Sequence, residues 1–176
     1  MIRDWVSVDV ETAGPHPGDY ALLSIGACLV ADPDVTFYVE LVPDREGETA
    51  EAMDVHGLSM AELRANGTPA GDAMVAFAEW LAEVVTDGRP RLVAMNAPFD
   101  WSFVNEYFWR YLGRNPFGHS AIDIKAVAMG RLRIPWEQTS QSSLAERFDL
   151  PGQLTHNALD DARQQALLAD HIMRTG

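Results

Sequence analysis

The chain has 176 residues, of which 47% are hydrophobic and 22% are charged. This composition excludes a disordered tail, a coiled coil and a disulfide-stapled miniprotein, and the length predicts a single domain over residues 1–176. The formal charge of −13, from 13 basic and 26 acidic residues, excludes a protein that holds nucleic acid mainly by neutralising phosphates with its own side chains. Composition alone favours ordinary solubility charge over a cation-binding cluster of carboxylates.

The first part of the chain predicts three strands. Residues 5–11 alternate between apolar and polar side chains, and residues 20–31 form a nearly continuous apolar run, both of which are typical of strands. A turn at residues 32–34 leads into a third strand over 35–42, which we expect to pair with the second strand as a hairpin. Residues 43–53 predict a polar connection.

Helices and short strands alternate in the rest of the chain. Three early strands followed by this alternation predict an α/β fold, in which helices cover a mixed sheet. Capping residues and apolar stripes predict helices over 59–64, 143–148 and 157–173. A further helix is predicted to begin at Pro69, with Thr68 as its cap, and to end at about residue 85. A strand over 91–95 precedes a helix that runs from Pro98 to Leu112 and ends at Gly113.

Two carboxylates share one face of the first predicted strand. Asp9 and Glu11 are two residues apart, so both point away from the valines between and before them. If this strand is buried, adjacent carboxylates repel each other unless a cation lies between them. On a solvent-exposed edge strand they would need no cation, and the pair alone leaves both interpretations open.

Further acidic residues follow later in the chain. Asp100 lies in the first turn of a helix, where a carboxylate either belongs to a site or serves the helix dipole. On the last helix, Asp161 borders the apolar stripe, whereas Asp160 points to solvent and His156 precedes the helix. Since strand ends of an open sheet converge at one edge, these residues and the strand pair would form a two-ion site for phosphoryl chemistry. Oxygen ligands favour Mg²⁺ or Mn²⁺ over Zn²⁺.

Three segments together resemble the exonuclease motifs of the DEDDh 3′→5′ exonucleases, the DnaQ-like family. They are VDVETAG (8–14), MNAPFDWSF (95–103) and HNALDDA (156–162). The segment RNPF (114–117), followed by Asp123, is similar to the ribonuclease T branch. The resemblance implies a ribonuclease H-like fold, with a mixed five-stranded sheet and helices on both faces.

The resemblance also implies roles for five residues. Asp9, Glu11, Asp100 and Asp161 match the family's ligands for two Mg²⁺ or Mn²⁺ ions, and His156 matches its general base. The family spacing of five residues between the histidine and the last aspartate selects Asp161, as the helical periodicity does. The implied activity removes nucleoside 5′-monophosphates from the 3′ ends of single-stranded RNA or DNA.

Other residues are expected to contact the substrate. Phe99 resembles an aromatic residue that stacks on a terminal base in ribonuclease T-like enzymes, although packing in the core is the alternative. Asn96 is expected to orient Asp100. Pro15 stands where ribonuclease T has an aromatic residue, so that enzyme's base preference is not carried over. The remaining predicted substrate contacts are Thr12, Ala13, Gly14 and His56.

Two other functions fit parts of the pattern. One is a catalytically silent module of the same fold that binds metal and nucleic acid; the other is a glycosidase, which would leave Asp100 and Asp161 without a role. The resemblance alone suggests a homodimer. The lone Cys28, the charged N-terminus and the lack of an apolar run of about 18 residues predict a cytoplasmic protein with no membrane partner.

Overall fold

A computed structural model describes residues 2–151 and 155–175 and contains a mixed sheet of five strands. In the sheet order β3-β2-β1-β4-β5, β2 is antiparallel to both of its neighbours, whereas β4 is parallel to β1 and to β5. The predicted α/β class and mixed five-stranded sheet are confirmed. The strands are β1 (Trp5–Thr12), β2 (Leu22–Leu29), β3 (Asp32–Glu40), β4 (Arg91–Ala94) and β5 (Ile122–Asp123).

Helices cover both faces of this sheet. The even-numbered valines of β1 pack with the third and fourth helices, and the opposite face of the sheet packs with the last three helices. No helix within the described residues is long and apolar enough to cross a bilayer. The helices are α1 (Ala50–His56), α2 (Met60–Asn66), α3 (Ala70–Val84), α4 (Pro98–Leu112), α5 (Ile124–Leu132), α6 (Gln141–Phe148) and α7 (Ala158–Arg174), with a 3₁₀ turn at Trp136–Gln138.

The turn between β2 and β3 lies earlier than predicted. Strand β3 begins at Asp32, so the chain reverses at residues 30–31 and not at 32–34. The pairing register shifts between Cys28 and Leu29, and Leu29 pairs with Asp32. The prediction followed the turn propensity of the sequence DPD. Asp32 instead pairs with Leu29, and the residues between Asp32 and Thr36 lie in the irregular part of the pairing.

Two predictions near helix starts are wrong. The stretch predicted as a polar connection, residues 43–53, contains the first part of α1, which Thr49 caps by accepting a hydrogen bond from the Ala52 amide at 3.2 Å. No residue of α1 is buried, so the helix has no apolar stripe to reveal it. Thr68 does not cap α3; its amide donates to the Glu40 carbonyl and its carbonyl accepts from Val42. Sheet-like pairing therefore takes the Thr68 carbonyl, which as a cap would accept the first hydrogen bond of the helix.

Helix α7 crosses β2 in close contact at Gly26. A Cβ atom at this position would lie closer than 3.0 Å to the backbone of Ala158 and Leu159. Gly26 is the β2 partner of Asp9 on β1. The missing side chain therefore lets the first turn of α7 lie directly beside the strand that carries Asp9.

Candidate active site

Strand β1 and helix α7 bring three carboxylates together. Asp9, Glu11 and Asp161 each have a carboxylate oxygen within 4.8 Å of the other two. Asp161 is 2% exposed, whereas Asp160 is exposed and lies 3.8 Å from Arg163. Because hard divalent cations bind several carboxylate oxygens at once, this group has the donor set and the spacing for Mg²⁺ or Mn²⁺.

Asp100 reaches the same region from α4. It is 4% exposed, and its Oδ1 atom accepts a hydrogen bond of 3.2 Å from the Val10 amide. Strand β1 extends beyond Ser7, its last residue paired with β4, so the Val10 amide is free to bind this carboxylate. Asp100 acts on Asp9 electrostatically, although the tight group of three carboxylates in the described residues does not include it.

Burial and mutual repulsion raise the pKa of three carboxyl groups. Burial, followed by the charges of Asp100, Glu11 and Asp161, holds the pKa of Asp9 well above its usual range. Burial and the charges of Asp161 and Asp100 raise the pKa of Glu11 to about 8. Burial also raises the pKa of Asp100 to about 8, against hydrogen bonds that lower it. A cation would relieve the repulsion that these groups exert on one another.

These shifts predict that the metal-free protein becomes less stable as the pH rises. The pKa of Glu11 rises from 4.5 in the unfolded chain to about 8 in the fold, so the folded state holds the proton more tightly. The free energy of unfolding should therefore fall between about pH 4.5 and about pH 8. Melting temperatures in EDTA should decrease by roughly 2–4 °C for each kcal/mol lost. Saturating Mn²⁺ should flatten this profile, and a metal-free melting temperature that rises over the same range would contradict the shifts.

Asp161 also fixes the backbone before α7. Its Oδ1 atom accepts hydrogen bonds from the amide and hydroxyl of Thr155 at 2.9 and 3.1 Å. Its Oδ2 atom accepts from the His156 amide at 2.9 Å. His156 is exposed and has a φ angle of 55°, in the left-handed region. One aspartate thus sits among the candidate ligands and holds the residue predicted as general base.

Sequence reasoning missed Gln165. This residue is 2% exposed, and its amide nitrogen donates to Asp9 Oδ1 at 2.6 Å. Its amide oxygen accepts from the Met95 backbone at 2.8 Å. Gln165 lies four residues after Asp161, so the helical spacing from a predicted ligand was the signal that could have found it.

A pocket of about 390 Å³ opens beside the carboxylates. Its volume lies in the range of small-ligand sites, about 300–1,000 Å³. Phe99 is half-buried in its wall and also packs on Phe103, with ring centroids 5.4 Å apart. Both predicted environments of Phe99, a pocket wall and a packed core, are therefore present. The lining residues are Val10, Glu11, Thr12, Gly14, Pro15, Thr49, Glu51, Ala52, Val55, His56 and Phe99.

Two predicted substrate contacts do not line this pocket. Ala13 is fully buried, and its carbonyl accepts a hydrogen bond from the Thr49 amide at 2.9 Å. Asn96 is exposed with a φ angle of 60°. Within residues 2–151 and 155–175, Asn96 makes no hydrogen bond to Asp100. The predicted orientation of Asp100 by Asn96 is therefore not seen; Asp100 Oδ1 accepts from the Val10 amide instead.

His56 shapes the pocket with both ring nitrogens. The Leu58 amide donates to Nδ1 at 3.0 Å, so Nε2 carries the proton and donates to the Thr12 carbonyl at 3.2 Å. Burial, and then the nearby His156, lower the pKa of His56 despite the bond to Thr12. A neutral imidazole therefore joins the end of α1 to the end of β1.

The sequence of the chain matches a known family over most of its length. Residues 6–169 match the RNase T family, which is described as an exonuclease family. The chain belongs to this family. A relative from Escherichia coli, the 3′-5′ DNA exonuclease Cap18, is 46% identical over 165 residues, which cover 93% of this chain and 88% of that protein. Ribonuclease T from Citrobacter koseri is 30% identical over 180 residues, which cover 96% of this chain and 83% of that enzyme.

Solved structures share the fold of this RNase T family member. The nuclease domain of 3′hExo, a DEDDh family member bound to rAMP, matches with a TM-score of 0.80 at 15% identity, over 98% of this chain and 92% of that one. E. coli Exonuclease I in complex with a dT13 oligonucleotide matches with a TM-score of 0.72 at 19% identity, over 97% of this chain and 41% of that one. The predicted ribonuclease H-like fold is confirmed, and the chain is a 3′→5′ exonuclease.

Proposed function

We propose that this exonuclease removes nucleoside 5′-monophosphates from the 3′ ends of short single-stranded DNA. The observation that carries the proposal is the group of three carboxylates, Asp9, Glu11 and Asp161, within 4.8 Å of one another. With Asp100, these residues would hold two Mg²⁺ or Mn²⁺ ions, as the family resemblance implies. DNA is favoured over RNA because the identity to the DNA exonuclease Cap18 is 46%, against 30% to Ribonuclease T.

The residues around the carboxylates have separate roles in the proposed hydrolysis. These carboxylates would hold divalent cations, whose charge would make a water molecule more acidic and would stabilise the negative charge that develops on the phosphate and the leaving oxygen. His156 removes the proton from that water, and Asp161 holds the His156 backbone in place. The water oxygen bonds to phosphorus as the P–O3′ bond breaks. The O3′ oxygen takes up a proton, so the shortened strand keeps a 3′-hydroxyl, and the phosphate leaves on the released nucleotide. The pocket beside Glu11 takes the terminal nucleoside, with Phe99 against its base.

The charge of the chain limits the class of substrate. Only 13 basic residues oppose 26 acidic ones, and two divalent cations offset only part of the −13 charge. Long structured RNA needs many phosphate contacts, which this composition does not supply. A short strand needs few phosphate contacts, because cations and one stacked base hold it at its end. The homodimer and the cytoplasmic location stay predictions.

The proposal is tested with 5′-labelled single strands of DNA and RNA of the same sequence. Incubation with Mn²⁺ or Mg²⁺ should give a descending ladder, faster on DNA than on RNA, and EDTA should stop it. An equal or faster ladder on RNA would overturn the DNA preference. Mn²⁺ and strand binding without any shortening would instead indicate the catalytically silent module.

Replacing His156 with glutamine separates proton transfer from cation binding. His156 is not one of the three grouped carboxylates, so Mn²⁺ binding should persist. The rate of nucleotide release should fall by about a hundredfold to ten-thousandfold, the usual contribution of a positioned base. Calorimetry measures Mn²⁺ binding and the ladder assay measures the rate, with the exposed His119→Gln as the matched control. An undiminished rate would show that another group takes the proton.

A further inference from the structure

Helix α7 presents two buried polar residues to the carboxylate site. Asp161 and Gln165 are four residues apart and therefore lie on the same face of the helix. Each is 2% exposed. Asp161 is a candidate cation ligand, but an amide is a poor competitor for that role beside several carboxylates. Gln165 needs a different explanation for its place in the site.

The direction of the Gln165 amide is fixed by its neighbours. The Met95 backbone N–H can only donate a hydrogen bond, so the atom 2.8 Å from it must be the amide oxygen. The amide nitrogen then faces Asp9 Oδ1 at 2.6 Å and donates to it. One side chain on α7 thus joins Asp9 on β1 to the residue that follows β4.

This arrangement suits a carboxylate that must keep its charge. A lysine or arginine in place of Gln165 would neutralise Asp9 and compete with a cation, whereas an amide donates a hydrogen bond and adds no charge. The bond engages one oxygen of the Asp9 carboxylate, Oδ1. Leucine would be less costly to bury than glutamine if the position served packing alone.

On the basis of the cation site proposed above, we infer that Gln165 is a positioning residue for Asp9. Its amide holds the Asp9 carboxylate at a fixed place relative to Asp161, which lies one turn earlier on the same helix. Asp9 and Asp161 are then ready to share a cation before one arrives, which lowers the cost of ordering them on binding.

The variant Gln165→Met tests this inference, because methionine has a similar length and flexibility but no amide. Titration calorimetry with Mn²⁺ alone should show affinity about 10–100-fold weaker than in the wild type. At low Mn²⁺ the kcat on single-stranded DNA should fall, and higher Mn²⁺ should restore it. The KM for DNA should not change, since Gln165 does not line the pocket. The matched control is Gln138→Met, at an exposed residue of the 3₁₀ turn.

The outcomes separate this inference from the cation site itself. A wild-type protein that binds no Mn²⁺ would overturn the cation site and the inference with it. Wild-type binding with equal affinity in Gln165→Met would overturn only the positioning role. If Gln165→Met does not fold, Gln165→Leu serves instead, because leucine also has no amide and is less costly to bury than glutamine. Wild-type kcat and Mn²⁺ dependence in that variant would also overturn the inference.

Discussion

The substitution Asp9→Asn should stop nucleotide release and, at the same time, raise the melting temperature of the metal-free protein. Asp9 is one of the three grouped carboxylates, so its loss removes a cation ligand and about a thousandfold or more in rate. Burial and the charges of Asp100, Glu11 and Asp161 already hold the pKa of Asp9 well above its usual range. Asparagine removes that repulsion and keeps an oxygen that can accept from Gln165.

Two measurements on the same preparations check this expectation. The ladder assay with Mn²⁺ gives the rate, and thermal melting in EDTA near pH 8 gives the stability. Each kcal/mol of repulsion removed should raise the melting temperature by roughly 2–4 °C. The control Asp160→Asn changes an exposed residue next to Asp161 and should alter neither quantity. An active Asp9→Asn protein would show that this carboxylate is not a cation ligand, and a less stable one would show that the carboxylate stabilises the metal-free fold.

Elements with local signals could be predicted closely from the sequence. Helix α4 runs from Pro98 to Leu112, as predicted, and Gly113 ends it with a φ angle of 63°. Proline at the first position and glycine after the last act through their own backbone preferences, so they need no tertiary contact to be read. The alternation in β1 likewise placed Asp9 and Glu11 on one face, where the structure has them together.

Features that depend on distant contacts could not be predicted from the same signals. Helix α1 buries no residue, and the bond between His56 and the Thr12 carbonyl joins residues far apart in the sequence. Helical spacing from Asp161 places Gln165 on the same face of α7, but its two hydrogen-bond partners are brought to it only where α7, β1 and the end of β4 meet. The candidate site has the same dependence, because each carboxylate alone also fitted a solvent face or a helix dipole. The joint resemblance of three motifs to one family predicted a shared site, which no single residue did.

The second large effect is expected from Gly26→Ala, which adds one methyl group where α7 meets β2. That Cβ would lie closer than 3.0 Å to backbone atoms of Ala158 and Leu159, and backbone cannot rotate out of its way. The first turn of α7 must therefore move away from the sheet. Overpacking of this kind costs about 1–3 kcal/mol or more. The movement also carries Asp161 away from Asp9, so Mn²⁺ affinity and rate should fall even where the protein stays folded.

The control for Gly26→Ala is Gly130→Ala, which adds the same methyl group at a glycine that is not pressed against another element. Gly130 lies inside α5, and a Cβ there has no neighbour within 4 Å, so alanine should stabilise the protein by up to about 1 kcal/mol. Urea unfolding gives both stabilities, and calorimetry at low temperature gives Mn²⁺ binding by the folded fraction. Wild-type Mn²⁺ affinity in a destabilised Gly26→Ala would mean that the cation site tolerates a displaced α7. Loss of affinity in a protein that remains folded would show that the missing side chain of Gly26 sets the distance between the carboxylates of β1 and α7.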